Sequence, residues 1–369
     1  MKEIRSIVKA YDTIDFSSTR AVLATVARVE GSSYRRTGAR MLVLDNGTYL
    51  GGISGGCLEG DALRRARKAL VLDKPAIITY DTTQEDSHQI GVGLGCNGII
   101  DVLFTPLNNN DALNPVKLLS GLTEKREPSV VVTVTECEDR FNALGKTILF
   151  KNDDQFLENF VIDSIRLAVL RDIKECLLKQ RSQTITYPHL DGSVKVFIEA
   201  ILPVTHLVIY GGNNDIYSLV RFTKELGWDA TVVTNMAKAE KAIFSLATRV
   251  INNTGPEEPV IDKHTAILLM SHDYKADFKN LQKALQTSCS YIGILGPKKR
   301  TDKMFNALSE TGNPVSAANQ QRIFSPAGLD IGANTPEEIA LSIAAEVRAH
   351  FAGRKGMSLR LREGTIYEI

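Results

Sequence analysis

From residue 205 onward the chain alternates short apolar runs with amphipathic stretches, and this constrains the fold more than any other feature of the sequence. THLVIY (205–210) has the length and composition of a buried strand, Gly211 and Gly212 interrupt it, an amphipathic run continues to about Leu226, and DATVVT supplies a second strand. TAILLM (265–270) and SYIGIL (290–295) repeat the pattern, each followed by a helix-like stretch, KADFKNLQKALQ and PKKRTDKMFNALSE. Strands separated by helices pair in parallel, because the crossover needed for parallel pairing has room for a helix. The prediction is an α/β fold whose C-terminal part is a Rossmann-like, doubly wound parallel sheet. Its last helix should start at Pro336, with Thr335 as N-cap and Glu338 completing a capping box, and run to about Phe351.

The first two hundred residues follow another rule. TVARVEGSSYRRTGARMLVLDNGTYL (25–50) resembles TVTECEDRFNALGKTILFKNDDQFL (133–157), and each is followed by a helix-like stretch and a strand, ending at Tyr80 and at Tyr187, 107 residues apart. IIDVLFTPL (99–107) likewise resembles SVKVFIEAIL (193–202). These matches predict an α+β domain, residues 1–200, built from two related strand, strand, helix, strand halves, with the Rossmann-like domain occupying 201–369. A chain of 369 residues is long enough for two cores of this size.

Composition excludes several function classes. Forty-four basic against forty-three acidic residues, with no long block of one sign, give no electrostatic footprint for nucleic acid or an anionic membrane. The N-terminal MKEIRSIVKAYDTIDF has charges spread through it, unlike a signal peptide, and no window approaches about 18 apolar residues, so a cytoplasmic protein outside the membrane is expected. The five cysteines include no C-x-x-C pair, which fits a reducing compartment and does not supply the closely spaced ligands of iron–sulfur clusters.

The two halves of the repeat differ where chemistry is most readily placed. The first carries GGISGGCLEGD (51–61) and DSHQIGVGLGCNG (86–98); the second replaces the former with ENFVIDSIRLA and lacks the latter. Loops that the shared scaffold does not need are candidates for a site. Five glycines between Gly51 and Gly60 leave backbone amides free to approach a ligand ahead of the helix DALRRARKALVL, although a tight strand-to-helix turn would account for two of them. Each glycine loop presents one cysteine, Cys57 and Cys96, where amides or a helix start favour the thiolate, whereas Cys137, Cys176 and Cys289 read as packing residues. Zinc held by Cys57, Cys96 and His88 is a further option, at a spacing matching no standard finger. Arg35, Arg36 and Arg40, beside Gly31 and Gly38, suit either a phosphate ligand or a solvated turn.

At these residues the sequence resembles a known family. VEGSSYRRTGARMLVLDNGTYLGGISGGCLE followed by GLGCNGIIDVL resembles the signature of the xanthine dehydrogenase accessory factors, the XdhC/CoxI family. HLVIYGGNNDIYSLVRFTKELGW, MSHDYKAD, YIGILGPKKR and SPAGLDIGANTPEEIALSIAAEV resemble that family's Rossmann domain. The resemblance implies an accessory factor, itself no hydroxylase. Such a factor binds molybdenum cofactor (molybdopterin), assists its sulfuration and delivers it to a xanthine dehydrogenase-type molybdenum hydroxylase. A cysteine desulfurase as second partner and a homodimer are implied too. Carried over by position, the cofactor-binding candidates are Arg36, Gly38, Arg40, Gly55, Gly56, Cys57, Glu59 and Cys96, with Cys57 and Cys96 as molybdenum contacts; Gly211, Gly212, His272 and Asp273 are the candidates in the second domain.

The sequence departs from the family pattern at Asn213, in the place of the second glycine of the nucleotide turn, and at Asn97 in the second cysteine loop. DATVVT is followed by Asn235, where an acidic residue would hold a ribose hydroxyl, so an ordinary NAD(P) pocket is weakened twice. The competing reading is a nicotinamide-dependent oxidoreductase using His272 and Asp273 at the carboxyl end of TAILLM. A relative that only binds a partner protein is a third reading.

Overall fold

The computed structural model describes residues 1–83, 98–138, 142–189 and 192–363. By its contacts the chain forms two units, Met1–Pro203 and Val204–Ile369.

The first unit runs α1 (Lys2–Tyr11), β1 (Ala21–Gly31), β2 (Arg40–Leu44), β3 (Tyr49–Gly51), α2 (Glu59–Leu72), β4 (Ala76–Asp81), β5 (Gly98–Leu107) and α3 (Pro115–Ser120). It continues with β6 (Ser129–Glu136), β7 (Thr147–Leu149), α4 (Asp153–Asn159), α5 (Arg166–Lys179), β8 (Gln183–His189) and β9 (Gly192–Ile201). Two antiparallel sheets result, in the orders β3-β2-β1-β5-β4 and β7-β6-β9-β8. Side chains alternate across a strand, so each central strand serves two interfaces. Val22, Ala24 and Val26 pack with Ala62, Ala66 and Ala69 of α2, whereas Leu23 and Leu42 meet Val131 and Ile201 from the other sheet. In the second sheet Val130, Val132 and Val134 point to Val169, Ile173 and Cys176 of α5. The two sheets lie face to face between their helices.

The predicted repeat is present in detail. Four strands follow the same order in both halves, β2-β1-β5-β4 and β7-β6-β9-β8, with β3 added in the first, and β1 and β6 each carry a register shift, after Val26 and after Val134. α2 and α5 are both 14 residues long and end on a left-handed residue, Asp73 and Gln180, each with φ 51°. Each helix is tied to its following strand by a tyrosine: Tyr80 donates to Asp61 at 2.9 Å and Tyr187 to Asp172 at 2.7 Å. One pair has exchanged its signs. Arg28 of β1 meets Asp101 of β5 at 2.6 Å, while in the second half Glu136 of β6 meets Lys195 of β9 at 2.7 Å.

The second unit runs β10 (His206–Tyr210), α6 (Asp215–Leu226), β11 (Asp229–Thr234), α7 (Ile243–Leu246), β12 (Arg249–Asn252), β13 (Thr265–Leu269), α8 (Tyr274–Leu285) and β14 (Tyr291–Ile294). α9 (Lys298–Glu310), α10 (Ala317–Gln321), β15 (Ile323–Phe324) and α11 (Pro336–Phe351) complete it. The sheet, ordered β12-β11-β10-β13-β14-β15, is parallel throughout, as the continuous apolar runs of its strands require. Winding reverses between the neighbours β10 and β13. Thr335 and Glu338 form the expected capping box of α11. Among the described residues no helix is long and apolar enough to cross a membrane.

Candidate functional site

The loop between β3 and α2 is shaped by two side chains. Ser54 donates its hydroxyl to Glu59 and accepts from the amides of Gly56 (3.1 Å) and Leu58 (3.0 Å), and its own amide donates to Glu59 at 2.9 Å. Burial alone would push the Glu59 carboxyl up; the hydrogen bonds from Ser54 outweigh it and hold the group below the usual carboxylate value. Glu59 is therefore an anion that clamps the loop, and with it shut in this way Cys57 is left exposed at the tip. Gly56 there has φ 112°, a conformation that other residues adopt only under strain. At Gly55 a Cβ would lie 3.3 Å from the ring of the exposed Tyr34.

Beneath the loop, Ser32, Tyr34, Ser54, Cys57, Thr82 and Gly98 line a cavity of about 20 Å³. Gly98 closes its floor. A Cβ there would stand 2.2 Å from the carbonyl of Ser32, and Thr82 holds the same residue by donating to its carbonyl at 2.7 Å. Cys96, His88 and Asn97, singled out by the sequence, lie outside the described residues.

The internal repeat supplies a control for this arrangement. The step along the chain that carries α2 onto α5 carries Cys57 onto Ser164 and Thr82 onto His189. In the second half those two residues touch, Ser164 Oγ to His189 Nδ1 at 2.6 Å; in the first half their counterparts face a cavity.

Two sequence expectations need correcting. Arg40, expected to meet a phosphate, is 4% exposed and forms a two-pronged ion pair with Glu199 of β9, one arm at 2.9 Å. Gly38 leaves the room that pair needs, since a Cβ would lie 2.6 Å from Glu199. Both residues are accounted for by the contact between the two sheets, with a partner 159 residues away. Arg35 pairs with Glu3 of α1, which also accepts from the Arg40 amide at 2.8 Å. Arg36 is exposed on the same turn. Sequence reasoning did not propose Tyr34, Ser54 or Thr82 as site residues, because their places along the cavity are set by the fold.

In the second unit, Gly211 and Gly212 are packing residues of the sheet end. Cβ atoms there would come within 2.5 Å of the Met270 carbonyl and 2.2 Å of Thr234 Oγ1. Asp273, expected to act with His272, is the N-cap of α8 and accepts from the Ala276 amide at 3.0 Å. The carboxylate that meets His272 is Asp215, the first residue of α6, at 2.7 Å.

Comparison with known proteins agrees with both units. Residues 17–81 match the family model described as the XdhC and CoxI family, and residues 207–347 match that of the XdhC Rossmann domain. The chain belongs to the XdhC and CoxI family. It is similar, at 29% identity over 89% of its length and 92% of the other's, to a probable xanthine dehydrogenase subunit of Bacillus subtilis. It is 24% identical to the molybdenum cofactor insertion chaperone PaoD of Escherichia coli, over 90% of this chain and 83% of that one. A solved structure described as a xanthine dehydrogenase from Bacillus halodurans superposes with a TM-score of 0.71 at 26% identity, covering 96% of this chain and 97% of the other.

The four described cysteines should separate by exposure. Cys176 is buried, which pushes its thiol up to about 11, and burial also raises that of Cys289. Iodoacetamide at pH 8 is expected to modify Cys57 at least roughly a hundredfold faster than either. Mass-spectrometric mapping over time checks this; comparable rates would mean that Cys57 is shielded.

Proposed function

We propose that this XdhC/CoxI member binds molybdenum cofactor as cargo and inserts it into a xanthine dehydrogenase-type molybdenum hydroxylase. The observation that carries this reading is the difference between equivalent places in the two halves. The second half closes its place with the Ser164–His189 hydrogen bond; the first spends five glycines and a buried Glu59 on keeping Cys57 exposed over a cavity. That cavity takes about one water-sized group, the size of a terminal oxygen or sulfur ligand. An exposed thiol and the exposed Arg36 guanidinium are donors that fit a soft metal with terminal sulfur and a pterin phosphate. Cys57 is the proposed molybdenum contact, joined by Cys96. The name of the Escherichia coli relative supports the same role.

Purification from a molybdenum-replete host, followed by metal analysis and oxidation of bound pterin to its fluorescent product, tests the proposal. Stoichiometric molybdenum and pterin are expected. Their absence, with a molybdenum hydroxylase co-expressed and active in the same host, overturns it.

The nicotinamide-dependent reading meets an obstacle in the second unit. Asp215 places a carboxylate in the first turn of the helix whose N-terminus would receive a pyrophosphate, and Asn235 turns its side chain onto the Ala237 amide at 3.1 Å. Calorimetric titration with NAD and NADP is expected to give no binding tighter than about 1 mM, a weakness of order 4 kcal/mol or less in binding free energy. Micromolar binding of either would restore the oxidoreductase reading.

A further inference from the structure

Asp215 and His272 converge where the winding of the parallel sheet reverses. Asp215 follows β10, His272 follows β13, and those strands are direct neighbours. Gly211 lets the two strand ends close up, and the Met270 amide donates to the Tyr210 carbonyl at 2.9 Å. In open α/β sheets the crevice beyond the carboxyl ends of the strands at such a reversal is where ligands bind.

Three observations single this pair out. His272 has φ 58°, a left-handed conformation that histidine adopts under strain. The strain is held by a buried brace: Asp277 of α8, fully buried, accepts from the Ser271 hydroxyl at 2.6 Å and from the Ser271 amide at 3.2 Å, and pairs with Arg300 of α9 at 2.7 Å. The brace thus draws on both the MSHDYKAD and the GPKKR segments. Finally, Asp215 Oδ1 is buried and has no hydrogen-bond partner among the described residues, a costly condition that marks a group waiting for a donor.

We propose that Asp215 and His272 form a preassembled carboxylate–imidazole pair that takes a ligand bearing N–H donors, cationic or neutral, in the crevice of the Rossmann unit. His272 Nε2 takes up Asp215 Oδ2 at 2.7 Å and leaves Oδ1 of the same carboxylate as the acceptor. That acceptor and the carboxylate charge select an amidine- or guanidine-like group over a phosphate. Asp273, capping α8, takes no part. The proposal is independent of cofactor binding at Cys57.

The probes are methylguanidine and inorganic pyrophosphate, titrated into the full chain carrying ¹⁵N-labelled histidine and followed by the ring-nitrogen resonances. Methylguanidine is expected to shift His272, with an affinity weakened at least about tenfold in both Asp215→Asn and His272→Gln at unchanged melting temperature. Pyrophosphate is expected to leave His272 unmoved. The proposal is overturned if methylguanidine leaves His272 unmoved, if pyrophosphate shifts it, or if both variants, folded as judged by melting, bind methylguanidine as the parent does.

Discussion

Glu199→Ala is expected to destabilise the first unit by about 3–5 kcal/mol, because it strands the Arg40 guanidinium in the contact between the two sheets without a counter-charge. Arg40→Ala should cost a similar amount by stranding the carboxylate. For a unit of this size that corresponds to a fall in Tm of roughly 6–20 °C. The double replacement Arg40→Leu with Glu199→Leu should recover most of the loss, since hydrophobic residues of similar volume can substitute for a buried pair once both charges are removed. Differential scanning calorimetry of the three variants measures the cycle. Single variants that melt within about 2 °C of the parent would mean that the pair is solvated, and Arg40 would again be available to a phosphate.

Cys57→Ala should have the opposite profile. On the proposed function it removes a metal contact from an exposed loop tip, so molybdenum retained through purification should fall at least about tenfold, equivalent to losing about 1.4 kcal/mol or more of binding free energy. Stability should change by less than about 0.5 kcal/mol, as for most exposed positions. Arg36→Ala should weaken retention through the phosphate, again without loss of stability. Undiminished molybdenum in Cys57→Ala would remove the thiol from the site; a large drop in Tm would mean that the loop is structural.

The parallel sheet was legible in the sequence because its strands are buried on both faces. LVIY and AILL are unbroken apolar runs, and the local signals beside them, such as Gly211 after the first, act over a few residues. The duplicated first unit was legible because its strand and helix segments recur in the same order, with Tyr80 and Tyr187 107 residues apart. What could not be seen was the fate of polar groups whose partners are distant. Arg40 in a glycine-bordered turn has the local signature of a phosphate ligand, and nothing within the turn indicates that Glu199 will neutralise it. His272 and Asp273 are adjacent in sequence, yet one residue in a left-handed conformation sends His272 to Asp215, 57 residues away, and leaves Asp273 to the helix. Side chains of the same type serve either purpose, and only the tertiary structure decides between them.

The separation of Arg40 and Glu199 also bears on how the chain comes to be folded during synthesis. Translation proceeds from the N-terminus at about 5–20 residues per second, so the first half emerges many seconds before the strand carrying Glu199. During that interval β1, β2 and α2 can assemble, but the face of the sheet around Arg40 is uncovered and its charge unmatched. A ribosome stalled before residue 199 would therefore expose a sheet that its own chain cannot yet bury, a natural client for a holdase. Messages cut short within the second half should yield aggregation rather than a stable half-unit.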